Sequence, residues 1–360
     1  MQPSLREVAV RTSPESPDVV GAPQAPRMID VARLAGVSQQ TVSRVLNRNA
    51  YVSRELQERV ERAVRQLGYR RNNAARALVT RQTMHLGVVT VGAMQYGPAQ
   101  ALFGIAEQAR ELGYATSLVS LNDIDRPTMR RALDHLVADA VDGIVVLAPT
   151  IAAADAVEGL SASVPLVMFE PGVSDRERTI AHDEVLGAQI ATRYLLDLGH
   201  PTVHHLAGPP GWLGTDARIE GWRRALMAAG SAAGPVLAGD WSAESGHEVG
   251  LRMLQRQRPT AVFAANDQMA LGLLKAASEL GMHVPEDVSV VGFDNVPEAR
   301  YYQPALTTMH LDFMEVGRRC VDRVLQLIRG SGSMPEPIEV PYLIPRDSTA
   351  RYRPKPGAGA

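Results

Sequence analysis

The feature that most constrains the fold is an alternation of short apolar runs with amphipathic helical stretches, which starts at Leu86 and continues for most of the chain. The apolar runs are four to six residues long, as expected for buried strands. Strands that are separated by amphipathic helices are typical of βαβ units. The alternation therefore predicts an α/β fold built on parallel sheets.

The alternation forms two series of similar build. In the first series, strands are predicted at 86–91, 115–120, 143–148 and 165–169, with helices near 99–112, 127–138 and 152–160. In the second, strands are predicted at 203–207, 262–265 and 289–293, with helices near 184–198, 215–229, 244–255 and 268–280. We expect two lobes, with a last helix at about 313–329 and strands beyond 338 that return across the hinge.

A two-lobed α/β body predicts a ligand site in the cleft between the lobes, because open parallel sheets bind ligands at the carboxyl ends of their strands. The glycine-rich stretch 208–214 lacks both the GxGxxG spacing and the lysine of a phosphate-binding loop. The sequence also has no GxSxG motif and no clustered metal ligands. We therefore interpret the body as a ligand clamp and not as an enzyme, and we expect neither a cofactor nor a metal.

Residues 28–47, with the sequence MIDVARLAGVSQQTVSRVLN, are typical of two short helices joined by a tight turn. Gly36 permits the turn, and Ser38 can cap the second helix by accepting a hydrogen bond from a free backbone N–H. The apolar residues of the inner faces are Val31, Ala32, Ala35, Val37, Val42, Val45 and Leu46. The polar side chains of the outer face are Gln39, Gln40, Ser43, Arg44 and Asn47. Such side chains suit base edges and phosphates, which indicates a DNA-reading helix-turn-helix.

A third helix is predicted after Ser53, its N-cap, with apolar residues at helical spacing up to Leu67. The excess of positive charge lies in the segment that contains these helices. The whole chain has a net charge of −2, whereas the segment from Arg27 to Gln82 contains twelve arginines and four acidic residues. A basic head on an acidic body predicts a polyanionic partner for the head alone.

The run from Ile29 to Gln82 resembles the DNA-binding headpiece and hinge of the lactose/galactose repressor (LacI/GalR) family, above all in the motif DVARLAGVSQQTVSRVLN. Four stretches of the body are similar to the same family: GDWSAESG at 239–246, AANDQMALG at 264–272, VSVVGFD at 288–294 and LTTMHLDF at 306–313. The resemblance covers nearly all of residues 28–350. It implies a three-helix headpiece, a hinge helix and a two-lobed body like that of periplasmic binding proteins.

The resemblance implies a homodimer that binds a palindromic double-stranded operator. Gln can pair with adenine and Arg with guanine in the major groove, so Gln39, Gln40 and Arg44 are assigned to sequence choice. Asn72 would open the short hinge helix, and Leu78 of each subunit would wedge into the minor groove. The DNA-binding residues are expected to be Gln39, Gln40, Thr41, Ser43, Arg44, Asn47, Asn72, Ala75 and Leu78.

The same resemblance implies a ligand site formed by Glu170, Arg218, Trp241, Asn266, Asp294 and Phe313. These residue types suit a sugar. Arg and carboxylate groups can clamp vicinal hydroxyls, Asn can donate and accept, and an aromatic face can cover the apolar side of the ring. We expect a small sugar inducer, with a β-galactoside as one candidate. Its binding would close the cleft, shift the first lobes across the dimer interface and make the hinge helices incompatible with bound DNA.

The predicted domains are a disordered leader at 1–26, a headpiece at 27–71, a hinge helix and linker at 72–82, a ligand-binding and dimerisation body at 83–350 and a disordered tail at 351–360. Lobe 1 would contain about 83–182 and 313–340, and lobe 2 about 183–312 and 341–350. Cys320 is the single cysteine, so no internal disulfide can form. The leader has neither an export-signal pattern nor an apolar run of about 18 residues, and we expect a cytoplasmic protein without a membrane partner.

Two other functions stay open on the sequence alone. A corepressor-dependent regulator of the purine-responsive type would bind DNA more tightly with its ligand, and it would need a purine-stacking pocket. A sugar-binding transport protein would share the two-lobed body, but it would carry an export signal and no arginine-rich headpiece.

The tail has no leucine heptads of the kind that hold tetramers together, so a dimer is predicted.

Overall fold

The computed structural model describes residues 26–46, 52–69, 82–91, 95–121, 125–147, 150, 152, 164–169, 179–330 and 338–354. These residues belong to two compact units, one within 1–76 and the other within 77–360. The predicted leader, the hinge helix at 72–82 and the helix near 152–160 lie outside the described residues, apart from positions 26, 82 and 152.

The described residues of the first unit form three helices: α1, Met28–Ala35; α2, Gln39–Leu46; and α3, Arg54–Leu67. Gly36 ends α1 in the left-handed region, with φ 63°. The Ser38 hydroxyl caps α2, as predicted, because it accepts a hydrogen bond from the Thr41 N–H at 3.1 Å. Ser53 precedes α3, but contrary to expectation its side chain makes no capping hydrogen bond. The helices bury a core of Val31, Ala32, Ala35, Val42, Val45, Val60 and Ala63.

Arg59 joins α3 to the end of α1. Its Nη2 donates to the Ala35 carbonyl at 2.7 Å and lies 3.3 Å from the Gly36 carbonyl. The last carbonyls of a helix have no partner within the helix, and a cation there also suits the helix dipole. One arginine of the basic segment is thus used to hold the headpiece together.

The first lobe is built on a five-stranded parallel sheet with the order β2-β1-β3-β4-β5. The strands are β1, His85–Val91; β2, Ala115–Leu121; β3, Gly143–Leu147; β4, Leu166–Phe169; and β5, Thr179–Ile180. The helices α4, Tyr96–Glu111, and α5, Arg126–Ala138, connect the first three strands. Strands β3 and β4 are buried along their whole length, which explains why they are continuous apolar runs in the sequence.

The second lobe has a six-stranded sheet with the order β11-β10-β9-β8-β6-β7, in which only the β10–β11 pair is antiparallel among the described strands. The strands are β6, His204–Ala207; β7, Leu237–Ala238; β8, Ala261–Ala264; β9, Ser289–Asp294; β10, Thr307–His310; and β11, Tyr342–Ile344. The helices are α6, Glu184–Asp197; α7, Leu213–Ala228; α8, Ala243–Gln257; and α9, Asp267–Glu279, followed by a 3₁₀ turn, Pro297–Tyr301.

The last helix, α10, Phe313–Ile328, returns to the first lobe, where it packs against α4 and against strands β3 and β4. Helices α4 and α10 approach closely at Gly104 and Gly317, since a Cβ added at either position would overlap the backbone of the other helix. The N-terminal ends of both helices lie side by side, with the Tyr96 and Phe313 rings 6.2 Å apart. This packing places two aromatic residues at the boundary between the lobes.

Several features of the body also differ from the sequence predictions, which do not include the two-residue strands β5 and β7. The pattern does not indicate β10, because its threonines and histidine interrupt the apolar run, and pairing with β9 and β11 stabilises it instead. Residues 351–354, expected in the disordered tail, lie against the second lobe. The Tyr352 N–H donates to the Leu198 carbonyl at 2.9 Å, and the Tyr352 ring lies 5.6 Å from that of His200.

No helix in the described part of the chain has both the length and the apolar character needed to cross a membrane.

Candidate functional site

A cavity lies between the two lobes at the carboxyl ends of their parallel strands. Leu147 ends β3, Phe169 ends β4 and Asp294 ends β9, and all three line this cavity, which has a volume of about 70 Å³. Open parallel sheets bind their ligands at this position. The described lining residues are Gln95, Tyr96, Gly97, Pro98, Ala101, Leu147, Phe169, Glu184, Trp212, Gly214, Arg218, Trp241, Asn266, Asp294 and Phe313.

Five of the six predicted ligand residues line this cavity together: Arg218, Trp241, Asn266, Asp294 and Phe313. They come from five separate segments of the chain. The sixth, Glu170, lies outside the described residues. The fold therefore brings together every predicted ligand residue that the structure describes.

Arg218, on α7, is a buried cation whose side chain is only 7% exposed. Its Nε donates to Glu184 Oε2 at 2.9 Å, and its Nη1 donates to the Ala265 carbonyl oxygen. The guanidinium carbon is 4.1 Å from the centroid of the Phe293 ring, a favourable cation–π distance. These three contacts fix the plane of the guanidinium group and leave Nη2 without a hydrogen bond among the described residues.

Asp294 lies opposite that nitrogen, with its Oδ1 3.8 Å from Arg218 Nη2, which is too long for a hydrogen bond. Its Oδ1 is buried and has no hydrogen-bond partner within the described residues. Burial raises the pKa of Asp294 well above its ordinary value; Arg218 lowers this pKa, whereas Asp267 and Glu184 raise it further. The protonated carboxyl can donate as well as accept. A ligand hydroxyl between Arg218 and Asp294 could therefore bond to both.

Asn266 is the N-cap of α9, and its amide is already engaged within the protein. Its Oδ1 accepts from the Met269 N–H at 2.9 Å, while its Nδ2 donates to the Trp241 carbonyl at 2.9 Å and to Gln268 Oε1 at 3.0 Å. An amide nitrogen has two hydrogens, so both are used. In this geometry Asn266 can accept a hydrogen bond from a ligand, whereas donating one requires it to release a protein partner.

The backbone of two cavity residues lies in the left-handed region, with φ 76° at Trp241 and 107° at Asp294. For residues with a side chain, such conformations cost on the order of 1–3 kcal/mol, and they are concentrated at functional sites. Gly208 has no side chain where the Trp241 ring passes, and a Cβ added there would overlap this ring. The local sequence therefore makes room for an indole at the cavity.

Two tryptophans form an aromatic wall. The rings of Trp212 and Trp241 meet edge to face, with centroids 5.9 Å apart. Trp212 packs against the hydrophobic clusters of both lobes, and its backbone forms an isolated antiparallel bridge with Thr150 of the first lobe. This wall thus belongs to both lobes at once.

A buried histidine packs behind two other aromatic lining residues. The His182 ring lies between the rings of Phe169 and Phe313, at centroid distances of 5.6 and 5.5 Å. Its Nε2 is 3.1 Å from Glu339 Oε2, on the segment that leads back to the second lobe. Two of the chain segments that cross between the lobes are therefore joined directly behind the cavity.

Sequence reasoning missed five polar or aromatic lining residues: Gln95, Tyr96, Phe169, Glu184 and Trp212. Glu184 opens α6, where an acidic residue is expected for helix stability alone. Trp212 follows a Pro-Pro-Gly stretch that gives no periodic signal. Only the proximity of distant segments shows that these residues face the same cavity.

No group of His, Cys, Asp and Glu side chains that could hold a metal ion is found within the described ranges.

The predicted DNA-reading side chains lie on α2. Gln39, Gln40 and Arg44 are exposed. Ser43 and Thr41 are half-buried, and the Thr41 hydroxyl lies 3.0 Å from Ser38 Oγ in the capping interaction. The remaining predicted contacts, Asn47, Asn72, Ala75 and Leu78, lie outside the described residues.

Two family models match the chain. Residues 27–72 match the lacI family of bacterial regulatory proteins, and residues 192–349 match the periplasmic binding protein-like domain. The first match covers the helix-turn-helix, and the second covers most of the lobe that contributes Arg218, Asn266 and Asp294.

Individual proteins match over most of their lengths. The lactose operon repressor of Escherichia coli K12 is 35% identical over 305 residues, 84% of this chain and 85% of that protein. The transcriptional repressor PurR of Pasteurella multocida is 33% identical over 327 residues, 89% of this chain and 97% of that protein. The crystal structure of the lac repressor dimer bound to operator and the anti-inducer ONPF is similar with a TM-score of 0.81 and 34% identity, covering 91% of this chain and all of that chain. This chain belongs to the lacI family of bacterial regulatory proteins.

Proposed function

We propose that this protein is a sequence-specific transcriptional repressor that leaves its operator when a small sugar binds between the two lobes. The observation that supports this most directly is the joint placement of Arg218, Asn266 and Asp294 with Trp241 and Phe313 around one cavity. Polar groups for vicinal hydroxyls and aromatic faces for the C–H side of a ring are the two requirements of a sugar site.

The DNA-binding part of the proposal is a homodimer on a palindromic operator. The exposed Gln39, Gln40 and Arg44 side chains on α2 would read base edges in the major groove, because their amide and guanidinium groups can form bidentate pairs there. The 72–82 segment would form the hinge helix, with Leu78 as the minor-groove wedge. The lac repressor structure bound to operator as a dimer supports this arrangement by similarity.

The direction of coupling has one specific alternative. PurR of Pasteurella multocida matches at 33% identity, and the cavity has a pair of tryptophans, Trp212 and Trp241, against which a planar base could pack. A purine that tightens operator binding would make this protein a corepressor-dependent regulator. The buried Arg218–Asp294 arrangement favours a hydroxylated ligand instead. A hydroxyl between the two groups can accept a hydrogen bond from Arg218 and donate one to Asp294.

A transport function is less compatible with the chain, because the helix-turn-helix of residues 27–72 would have no role in it. We also propose that the protein is not an enzyme. The two curated relatives described above are repressors, and the cavity contacts described here account for binding without a chemical step.

The test is operator binding by fluorescence anisotropy at fixed salt, because salt alone changes such affinities strongly. The DNA is a family-type palindrome, and the ligand panel contains galactosides, glucosides, ribose and purines. We expect one sugar to weaken operator binding. The Arg218→Lys variant should need roughly 10–100-fold more of that sugar for the same loss of operator binding, because a lysine cannot replace the charge-assisted contacts of the guanidinium.

The matched control is Arg224→Lys, an exposed arginine on the same helix that pairs with Glu220. It should respond to sugar like the unmodified protein. Tighter operator binding in the presence of a purine would replace the proposed mechanism with the corepressor one. Failure of every ligand to change operator affinity would contradict both.

A further inference from the structure

Glu184 lines the cavity although no sequence motif assigns it to a ligand. It opens α6, and its side chain is 2% exposed. Among the described residues its carboxylate has one hydrogen-bond partner, the Nε of Arg218 at 2.9 Å. A carboxylate has several acceptor positions, so most of its capacity remains unused in this arrangement.

The pairing of Glu184 with Arg218 decides the charge of the cavity. Arg218 is the only cation among the described lining residues, whereas Glu184 and Asp294 are both acids. Glu184 neutralises the guanidinium from the Nε side, and Asp294 lies 3.8 Å from Nη2 on the other side. An anionic ligand therefore meets no unpaired positive charge there.

The protonation state of Asp294 does not reverse this result. Burial raises its pKa, which favours the neutral acid, and Arg218 lowers it. With Asp294 neutral the described lining residues sum to zero charge, and with Asp294 ionised they sum to −1. In neither state can the charges of the cavity offset the free-energy cost of desolvating a phosphate or carboxylate. This cost is large for an ion that finds no partner of opposite charge.

We propose that Glu184 makes the effector site selective for uncharged, polyhydroxylated ligands and excludes sugar phosphates and sugar acids. This inference rests on the proposed function and specifies the ligand class for it. Glu184 acts in two ways: its free acceptor positions take a hydrogen bond from a ligand hydroxyl, and its charge cancels the attraction of Arg218 for an anion. A hydroxyl that is esterified or oxidised can no longer donate its hydrogen bond to Glu184. The negative charge that it gains is not attracted by Arg218, because Glu184 already neutralises the guanidinium.

The experiment compares matched probe pairs on the full-length protein. Galactose, glucose and ribose are each titrated beside their own phosphate esters, and operator release and calorimetric affinity are recorded. For the unmodified protein we expect the free sugar of the active pair to bind at least about ten-fold more tightly than its ester, because the ester lacks the charge-assisted hydrogen bond from that hydroxyl to Glu184.

The variant Glu184→Gln keeps the shape of the side chain and an oxygen for Arg218 Nε, but it removes the charge. It should weaken binding of the free sugar about ten-fold and strengthen binding of the ester, so that the preference falls by about a hundred-fold or reverses. The control Glu220→Gln makes the same change at an exposed position on α7 and should leave the preference unchanged. Circular dichroism and operator affinity without ligand show whether each variant is folded.

The outcomes separate the two proposals. Equal or tighter binding of a phosphate ester by the unmodified protein overturns the selectivity and leaves the sugar-responsive repressor in place. An unchanged preference in folded Glu184→Gln also overturns it. If no probe of either class binds, both proposals are wrong.

Discussion

Asp267 determines the geometry at the second-lobe edge of the cavity. Its fully buried carboxylate accepts a hydrogen bond from the Thr308 hydroxyl at 2.6 Å and another from the Val296 N–H at 2.8 Å. These bonds join the start of α9 to β10 and to the segment that follows Asp294. Burial raises the pKa of Asp267 to about 7, although both hydrogen bonds and Arg346 lower it.

This raised pKa predicts a pH-dependent stability. Folded Asp267 keeps its proton up to a pH of about 7, whereas the unfolded chain releases it near 3.8. Between these values the native state binds more protons, so the contribution of this group to the free energy of unfolding falls as the pH rises. Asp267→Asn has no such titration. The stability of the variant minus that of the unmodified protein should therefore increase with pH by up to about 4 kcal/mol across this window.

Urea denaturation between pH 4.5 and 8 measures this difference. The control Asp134→Asn changes an exposed aspartate on α5 and should follow the unmodified protein at every pH. A difference for Asp267→Asn that does not vary with pH would show that the pKa of this carboxyl is not raised.

The site residues show which side chains a sequence can reveal. Arg218, Asn266 and Asp294 lie in motifs, and the residues at the ends of buried strands could be placed at a cleft from the alternation alone. Glu184 and Asp267 each sit in the first turn of a helix, where an acidic residue is expected for local reasons. Their roles depend on Arg218 and Thr308, which are 34 and 41 residues away in the chain.

Among the elements, α2 is a short helix with a side-chain cap at its N-terminus. The Ser38 hydroxyl caps its N-terminus and also meets the Thr41 hydroxyl. The helix has only eight residues, so it is marginal without its cap and its packing. An N-cap of this kind contributes about 1 kcal/mol.

Ser38→Ala should therefore increase hydrogen exchange of the α2 amides about five-fold in the full-length protein, as measured by mass spectrometry. It should also weaken operator binding, because the DNA-reading side chains lie on this helix. The matched control is Ser53→Ala, which precedes α3 but makes no capping hydrogen bond. Equal exchange changes in α2 and α3 for the two variants would mean that the Ser38 cap does not stabilise α2.

The elements differ in how far their sequence specifies them. Strands β3, β4 and β8 are predictable, because a buried parallel strand is a continuous apolar run. Strands β5 and β7 have two residues each, which is too short for any periodic signal. Strand β10 depends on its neighbours β9 and β11, so only long-range pairing identifies it.

At the scale of the whole molecule, the proposed function requires that the two compact units influence each other. A sugar that weakens operator binding has a coupling free energy with the operator, and thermodynamic linkage makes this coupling reciprocal. Couplings of this kind are typically about 1–3 kcal/mol. Binding of sugar to the cavity must therefore become weaker when operator occupies the headpiece.

The most direct test is to measure sugar affinity by calorimetry with and without saturating operator, together with operator affinity with and without saturating sugar. We predict that the two affinities fall by the same factor, about 5–150-fold. The Arg218→Lys variant should show the same factor at the higher sugar concentrations that it needs for saturation. Sugar binding that is unaffected by operator would contradict the proposal that ligand in the cavity releases DNA.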